Sequence, residues 1–281
     1  VAKCITPWHL IGIKAFIAKL LEENKRAKGY IYIKYHGVSG YVIKEDDLNF
    51  PEASDITVIW GKKSEKKTSK QKREVITQSI NFKHYSPSNQ KKVFILNAFY
   101  PDYPFCARFI EHTGINCVPV CIDEGVGTYK TRRDLFGERW RRNKKSAIIS
   151  EIQKLLETHI GKRIPEKTVY FTIFNVNKSG MLNENTDVTR YYRKVLSDSV
   201  STITISDKPY ILLLTQPFEL KEEIAAQNEV NAAFNLVAKR YREAGFYIFV
   251  KPHPREKKEM LDEYKNSGYT LIDQSMPIER M

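Results

Sequence analysis

The chain has 281 residues, 42 % of them hydrophobic and 12 % aromatic, with 46 Lys and Arg against 33 Asp and Glu for a net charge of +13. That apolar content excludes a disordered chain, and its longest apolar stretches are too short to span a bilayer or, like Ile11 to Leu21, are broken by Lys14 and Lys19. The positive excess favours polyanionic partners, namely nucleic acid, an anionic membrane surface or an acidic polysaccharide, without choosing among them.

In chain order, short β-branched or aromatic runs alternate with helical periodicity, the pattern of a parallel α/β architecture with helices on both sheet faces. Ala2 to Thr6 is a predicted strand. Pro7 then opens a helix, where its missing N–H costs nothing, with an apolar stripe of Leu10, Ile13, Ile17, Leu20 and Leu21 and an expected end at Gly29. Strands are predicted at Tyr30 to Ile33, Ile56 to Trp60 and Lys92 to Leu96, a helix near Cys106 to His112, and a strand at Asn116 to Ile122. A helix over Lys144 to Thr158 and a strand over Thr168 to Phe174 follow.

The stretch from Asn175 to Ser201 is rich in Asn, Ser, Asp, Thr and Tyr and reads as a connection. Beyond it a second α/β pattern predicts strands at Tyr210 to Thr215, Phe246 to Val250 and Tyr269 to Ile272. The helices between them run over Glu219 to Ala244, capped by Gly245, and over Arg255 to Lys265. The predicted organisation is therefore a first lobe over 1–175, a connection over 176–206 and a second lobe over 207–281. Three strands and two helices are few for a doubly wound lobe. With Val1 at one end and Met281 at the other, the expectation is a chain trimmed at both ends.

Cys4, Cys106, Cys117 and Cys121 lie in apolar surroundings without CxxC spacing and read as buried, reduced thiols of a cytoplasmic protein. Glu45, Asp46 and Asp47 form an acidic cluster in a loop and are read as solvated rather than as a metal site. Residues 61–73 carry seven Lys or Arg against one Glu, a basic loop.

Two segments carry candidate chemistry. In Val118 to Tyr129 an apolar strand ends in Asp123 and Glu124, followed by Gly125 and Gly127. The carboxyl edge of a parallel sheet is where such folds bind ligands. Neighbours on an extended strand point to opposite faces, so one carboxylate can meet a substrate while the other braces the loop. An ordinary strand-to-loop turn is the competing reading. In Phe246 to Glu256 a strand runs into Lys251 and His253, with Pro252 and Pro254 fixing the backbone. Pro254 is expected at the first turn of the next helix, so that His253 and the helix N-terminus can face a phosphate oxygen. A strand end in the same lobe offers Thr215, Gln216 and Pro217 as polar neighbours.

Taken together these segments resemble the bacterial sialyltransferases, most closely the capsular polysialyltransferases. The resemblance rests on Asp123-Glu124-Gly125 for an Asp/Glu-Asp/Glu-Gly motif and on His253-Pro254 for a His-Pro motif, with Thr6-Pro7-Trp8-His9 and Leu214-Thr215-Gln216-Pro217 as further familial stretches. The family's downstream Ser/Thr motif has no counterpart before Met281. The resemblance implies a GT-B fold, two Rossmann-like lobes facing across a cleft, here with an incomplete C-terminal lobe.

It further implies a cytidine monophosphate (CMP)-sialic acid donor, inverting transfer and no metal or other cofactor. The acceptor it implies is an acidic polysaccharide in capsule synthesis. Glu124 becomes the base, with Asp123 as the alternate, and His253 stabilises the departing phosphate. Gly125, Gln216, Pro217, Lys251, Pro254 and Glu279 are the expected donor contacts. His9, Lys130, Arg132 and Arg133 are the expected acceptor contacts, a capping or core role being weighed equally for His9. The basic residues near the proposed base would hold an acceptor bearing one carboxylate per sugar.

The alternatives are a monosialyltransferase acting once on a galactose-ended lipooligosaccharide and a basic nucleic-acid-binding protein. The latter lacks interleaved aromatics and recognised motifs. The expected location is the bacterial cytoplasm, with peripheral contacts to anionic membrane and capsule assembly proteins at its inner face.

Overall fold

The computed structural model describes residues 1–23, 26–33, 43–60, 92–98, 100–123, 136–137, 139–141, 143–176, 182–199, 209–215, 221–253 and 256–274. Contacts divide the chain into two units, Val1–Tyr35 with Lys44–Val195, and His36–Ile43 with Leu196–Met281. In the first unit, strands β1 (Ala2–Cys4), β2 (Ala27–Ile33), β3 (Ser54–Trp60), β4 (Val93–Ala98), β5 (Cys117–Ile122) and β6 (Val169–Phe171) form one sheet in the order β3-β2-β1-β4-β5-β6. Every pairing in it is parallel. This is the doubly wound order, whose direction reverses between β1 and β4.

Helix α1 (Pro7–Glu23) starts where the sequence predicts, because Thr6 caps it: the His9 amide donates to Thr6 Oγ1 at 3.3 Å. Its stripe of Leu10, Ile13, Phe16 and Ile17 is buried. It ends at Glu23, not at Gly29, which lies inside β2 opposite Ile56. A Cβ at Gly29 would stand 3.0 Å from Ile56 Cδ1, so the glycine serves close strand packing rather than a helix stop. Helix α2 (Tyr103–Thr113) is capped by the Asp102 carboxylate, which accepts from the Phe105 amide at 3.2 Å, and closes on Gly114 at φ 67°. Helix α3 (Lys144–Gly161) is capped by Asn143 and packs against α2.

The strand expected over Thr168 to Phe174 breaks after Phe171, and a two-stranded antiparallel hairpin of β7 (Phe174–Val176) and β8 (Leu182–Glu184) follows. Helix α4 (Thr186–Ser199) then lies within the stretch expected to be a polar connection. The first unit runs to Val195, past the expected boundary at 175, because Val188, Tyr191 and Tyr192 of α4 are buried. Tyr192 stacks on Phe171 with centroids 5.8 Å apart. The polar composition of the segment belongs to the outer face of an amphipathic helix.

The second unit holds a parallel sheet in the order β11-β10-β9, made of β9 (Tyr210–Leu214), β10 (Tyr247–Lys251) and β11 (Thr270–Leu271). Helix α5 (Lys221–Glu243) precedes Gly245, whose φ of 88° permits the turn into β10, and α6 (Lys258–Asn266) precedes β11. Leu213, Ala238, Ile248, Val250, Tyr264 and Tyr269 form its core.

One close approach ties α1 to α4. A Cβ at Gly12 would lie 2.8 Å from the Tyr192 hydroxyl and 3.5 Å from Ile122. Gly12→Ala should therefore lower the stability of the chain by about 1–3 kcal/mol in denaturant unfolding. Adding Tyr192→Phe, which removes the oxygen, should restore part of that loss, a non-additivity that simple loss of helix freedom would not produce.

Candidate functional site

Two clusters occupy carboxyl ends of parallel strands, one in each unit. In the first, Asp123 follows β5 and is 1 % exposed. Its Oδ1 accepts from the Trp8 indole at 3.5 Å, and its Oδ2 accepts from the Ile173 amide at 3.1 Å. Its own amide donates to the Tyr192 hydroxyl at 3.3 Å. Burial and the neighbouring Asp123 charge both push the Tyr192 hydroxyl up from its ordinary pKa, so it stays neutral. The early end of β6 follows from this arrangement: the Ile173 amide goes to a carboxylate instead of a strand neighbour. Trp8 packs against Tyr192 with ring centroids 5.5 Å apart. Asp123 therefore joins the starts or ends of α1, β5 and β6, the bracing role foreseen for one member of the Asp123–Glu124 pair.

His9 lies in the same turn. It is buried, and its Nδ1 accepts from the Ile5 amide at 3.3 Å. Of the roles weighed for it, this geometry is that of capping and core packing.

In the second unit, the His253 backbone is held on both sides. Its amide donates to Thr215 Oγ1 at 3.1 Å and to Glu256 Oε2 at 3.2 Å, while its carbonyl accepts from Gln274 Nε2 at 2.7 Å. Glu256 is the centre of this cradle. Its carboxylate also accepts from the hydroxyls of Thr215 and Tyr264, the latter at 2.8 Å. Burial, with the Glu256 hydrogen bond second, pushes the Tyr264 hydroxyl up from its ordinary pKa. Lys251, expected at the donor, is buried, and its Nζ donates to the carbonyls of Pro252 at 2.8 Å and Gln274 at 3.1 Å. It ties the ends of two strand-to-loop segments together.

The helix expected from Arg255 begins at Lys258. The Glu256 amide donates to the His253 carbonyl at 2.9 Å, ahead of the helix. The helix N-terminus is thus not immediately after Pro254. Glu124, Gly125, Lys130, Arg132, Arg133, Gln216, Pro217, Pro254 and Glu279 lie outside the described residues.

Sequence reasoning overlooked Glu256, Gln274 and Tyr192. Glu256 and Tyr264 stood eight residues apart in a predicted helix, a spacing that puts both on one face and offered a signal; Gln274 offered none. The four cysteines are buried and form no disulfide, and burial pushes the Cys4 thiol up from its ordinary range. Among the described residues no group of three or more His, Cys, Asp or Glu is placed to hold a metal ion. Glu45–Leu48 forms a 3-10 turn in which Asp47 accepts from the Lys44 amide at 2.9 Å.

A family model described as alpha-2,8-polysialyltransferase matches residues 1–281. The chain belongs to the alpha-2,8-polysialyltransferase family. It is accordingly a glycosyltransferase, and its family is one of polysialic acid synthesis. A search of the curated proteins found no match. Among solved structures it is similar to the crystal structure of a sialyltransferase from Photobacterium damsela, with 13 % identity and a TM-score of 0.48 over 99 % of this chain and 67 % of that one. Among the described residues of this polysialyltransferase family member, no helix is long and apolar enough to cross a membrane.

The Glu256 cradle yields a specific expectation. Glu256→Ala leaves the Thr215 and Tyr264 hydroxyls without their carboxylate acceptor and the His253 amide with Thr215 Oγ1 alone, at a cost of about 1–3 kcal/mol. Hydrogen exchange should quicken at residues 213–215 and 248–253 and remain unchanged in β4 and β5. Glu256→Gln should lose less, because one amide oxygen still accepts.

Proposed function

We propose that the protein transfers sialic acid from CMP-sialic acid to the end of an oligo- or polysialic acid chain, with inversion and without a metal. Glu124 takes the proton of the acceptor hydroxyl as that oxygen attacks the anomeric carbon. The carbon–oxygen bond to the phosphate breaks, and its electron pair leaves with CMP. A phosphate monoester anion needs its charge stabilised rather than a strong acid, and His253 at the end of β10 supplies a hydrogen bond or positive charge. Family membership carries this reading. It is supported by the placement of Asp123 and His253, each at the carboxyl end of a parallel strand.

Asp123's contacts support this division of labour within Asp123–Glu124: Asp123 already accepts from Trp8 and Ile173 and braces the loop, and the base's role goes to Glu124. Lys130, Arg132 and Arg133, together with exposed Arg141, would hold an acidic acceptor by many weak, salt-sensitive contacts. The reading takes the two units as GT-B lobes, with Gln216, Pro217, Pro254, Gly125 and Glu279 around the donor. It places the protein at the cytoplasmic face of a bacterial membrane, in capsule synthesis.

Incubation with CMP-sialic acid and an oligosialic acid primer should release CMP in step with chain extension, and the rate should fall as salt rises. Neither extension nor CMP release would overturn the reading. Extension of lactose-like sugars by one residue, with little salt dependence, would assign the chain to monosialylation instead. His253→Ala should lower kcat by about 10²- to 10³-fold.

A further inference from the structure

Helix α3 is turned inside out. The face it lays toward the fold carries Ala147, Ser150, Glu151, Lys154, Glu157 and Gly161, which are small or polar and less exposed than their neighbours, with Ile160 half-buried at its C-terminal end. Glu151 and Lys154 pair on that face at 3.0 Å. Gly161 lets the ring of Tyr103 approach so closely that a Cβ there would stand 2.9 Å from it. The opposite face carries Ile148, Ile149, Ile152, Leu155 and Leu156, each between 47 and 59 % exposed. At about 100° per residue these five lie within a stripe roughly 120° wide. An ordinary surface helix shows the reverse arrangement.

The charges on the outward face have one sign. Lys144 and Lys145 continue the stripe at its N-terminal end, and Lys162 and Arg163 continue it at the other, all exposed. Glu151 and Glu157, by contrast, lie on the inward face. Trp140, 40 % exposed, stands just ahead of the helix with Lys144 Nζ 5.7 Å from its ring centroid. The first turn of α3 contains no acid and two lysines, where the helix dipole disfavours cations. Helix stability therefore does not account for these lysines, whereas an anionic partner does.

We infer that the outward face of α3 lies on an anionic phospholipid surface. Its isoleucines and leucines enter the boundary of headgroups and acyl chains. The lysines and Arg163 reach back to the lipid phosphates, and Trp140 sits at the interface. A second copy of the chain fits the stripe poorly, since pairing two such helices in either direction sets cations against cations. The inference is independent of the transfer reaction, and its test does not read turnover.

The full chain is sedimented with vesicles of phosphatidylcholine alone and of phosphatidylcholine with roughly one third phosphatidylglycerol. Binding should be at least about tenfold stronger to the anionic vesicles and should weaken as salt rises. Ile152→Glu with Leu155→Glu should cut it about tenfold, and Lys144→Gln with Lys145→Gln should cut it several-fold and flatten the salt dependence. All four positions are solvent-facing or interfacial, so far-UV circular dichroism should be unchanged; the lysine pair keeps the test decisive if the glutamate pair perturbs folding. Absence of vesicle binding, or binding that neither pair alters, would overturn the inference. So would a dimer in sedimentation equilibrium that the glutamate pair makes monomeric, since that would assign the stripe to a second copy.

Discussion

The first unit depends on a buried carboxylate. Asp123, 1 % exposed at the end of β5, accepts from the Trp8 indole and the Ile173 amide. Burying an ionisable group costs free energy unless it is hydrogen-bonded. The chain supplies a donor to each carboxylate oxygen, one from α1 and one from the segment after β6. The consequences spread along the backbone. The start of α1 is held over the carboxyl edge of β5, β6 stops at Phe171, and Tyr192 of α4 is drawn to the Asp123 amide at 3.3 Å. Gly12 leaves the room that Tyr192 requires.

The second unit solves a related problem with a related device. Glu256, also buried, gathers the Thr215 and Tyr264 hydroxyls and the His253 amide, and so fixes the backbone of the residue proposed to meet the leaving phosphate. In both units a carboxylate occupied by internal donors stands one to three residues from the side chain given a chemical role. Preorganisation of that kind holds reacting groups in place before substrate arrives, so less reorganisation remains at the moment of reaction.

Much of this was legible in the residues. The alternation of apolar strands with amphipathic helices gave the parallel sheets, and Pro7 and Gly245 marked real helix boundaries because their conformational restrictions act locally. What was not legible depended on distant partners. Gly29 looked like a helix stop until its neighbour proved to be Ile56, 27 residues away in sequence. The stretch after Asn175 looked like a linker because its polar face outnumbers the few residues, Val188, Tyr191 and Tyr192, that bury it. Lys251 reads from the sequence as a donor contact and His9 as either an acceptor contact or a cap, and their contacts to backbone groups appear only when the turns are assembled. The helix over Lys144 to Thr158 was legible as a helix, but periodicity reports that one face is apolar without saying which way it points.

The central claim is that Asp123 frames the site and Glu124 performs its chemistry. Thermal midpoint and turnover of Asp123→Asn and Glu124→Gln, measured side by side on the full chain, test it most directly. The account predicts that Asp123→Asn lowers the midpoint, with activity falling as the frame loosens. It predicts that Glu124→Gln keeps the midpoint and loses turnover by at least about 10²-fold. A stable Asp123→Asn protein without activity, beside a Glu124→Gln protein that still turns over normally, would contradict it.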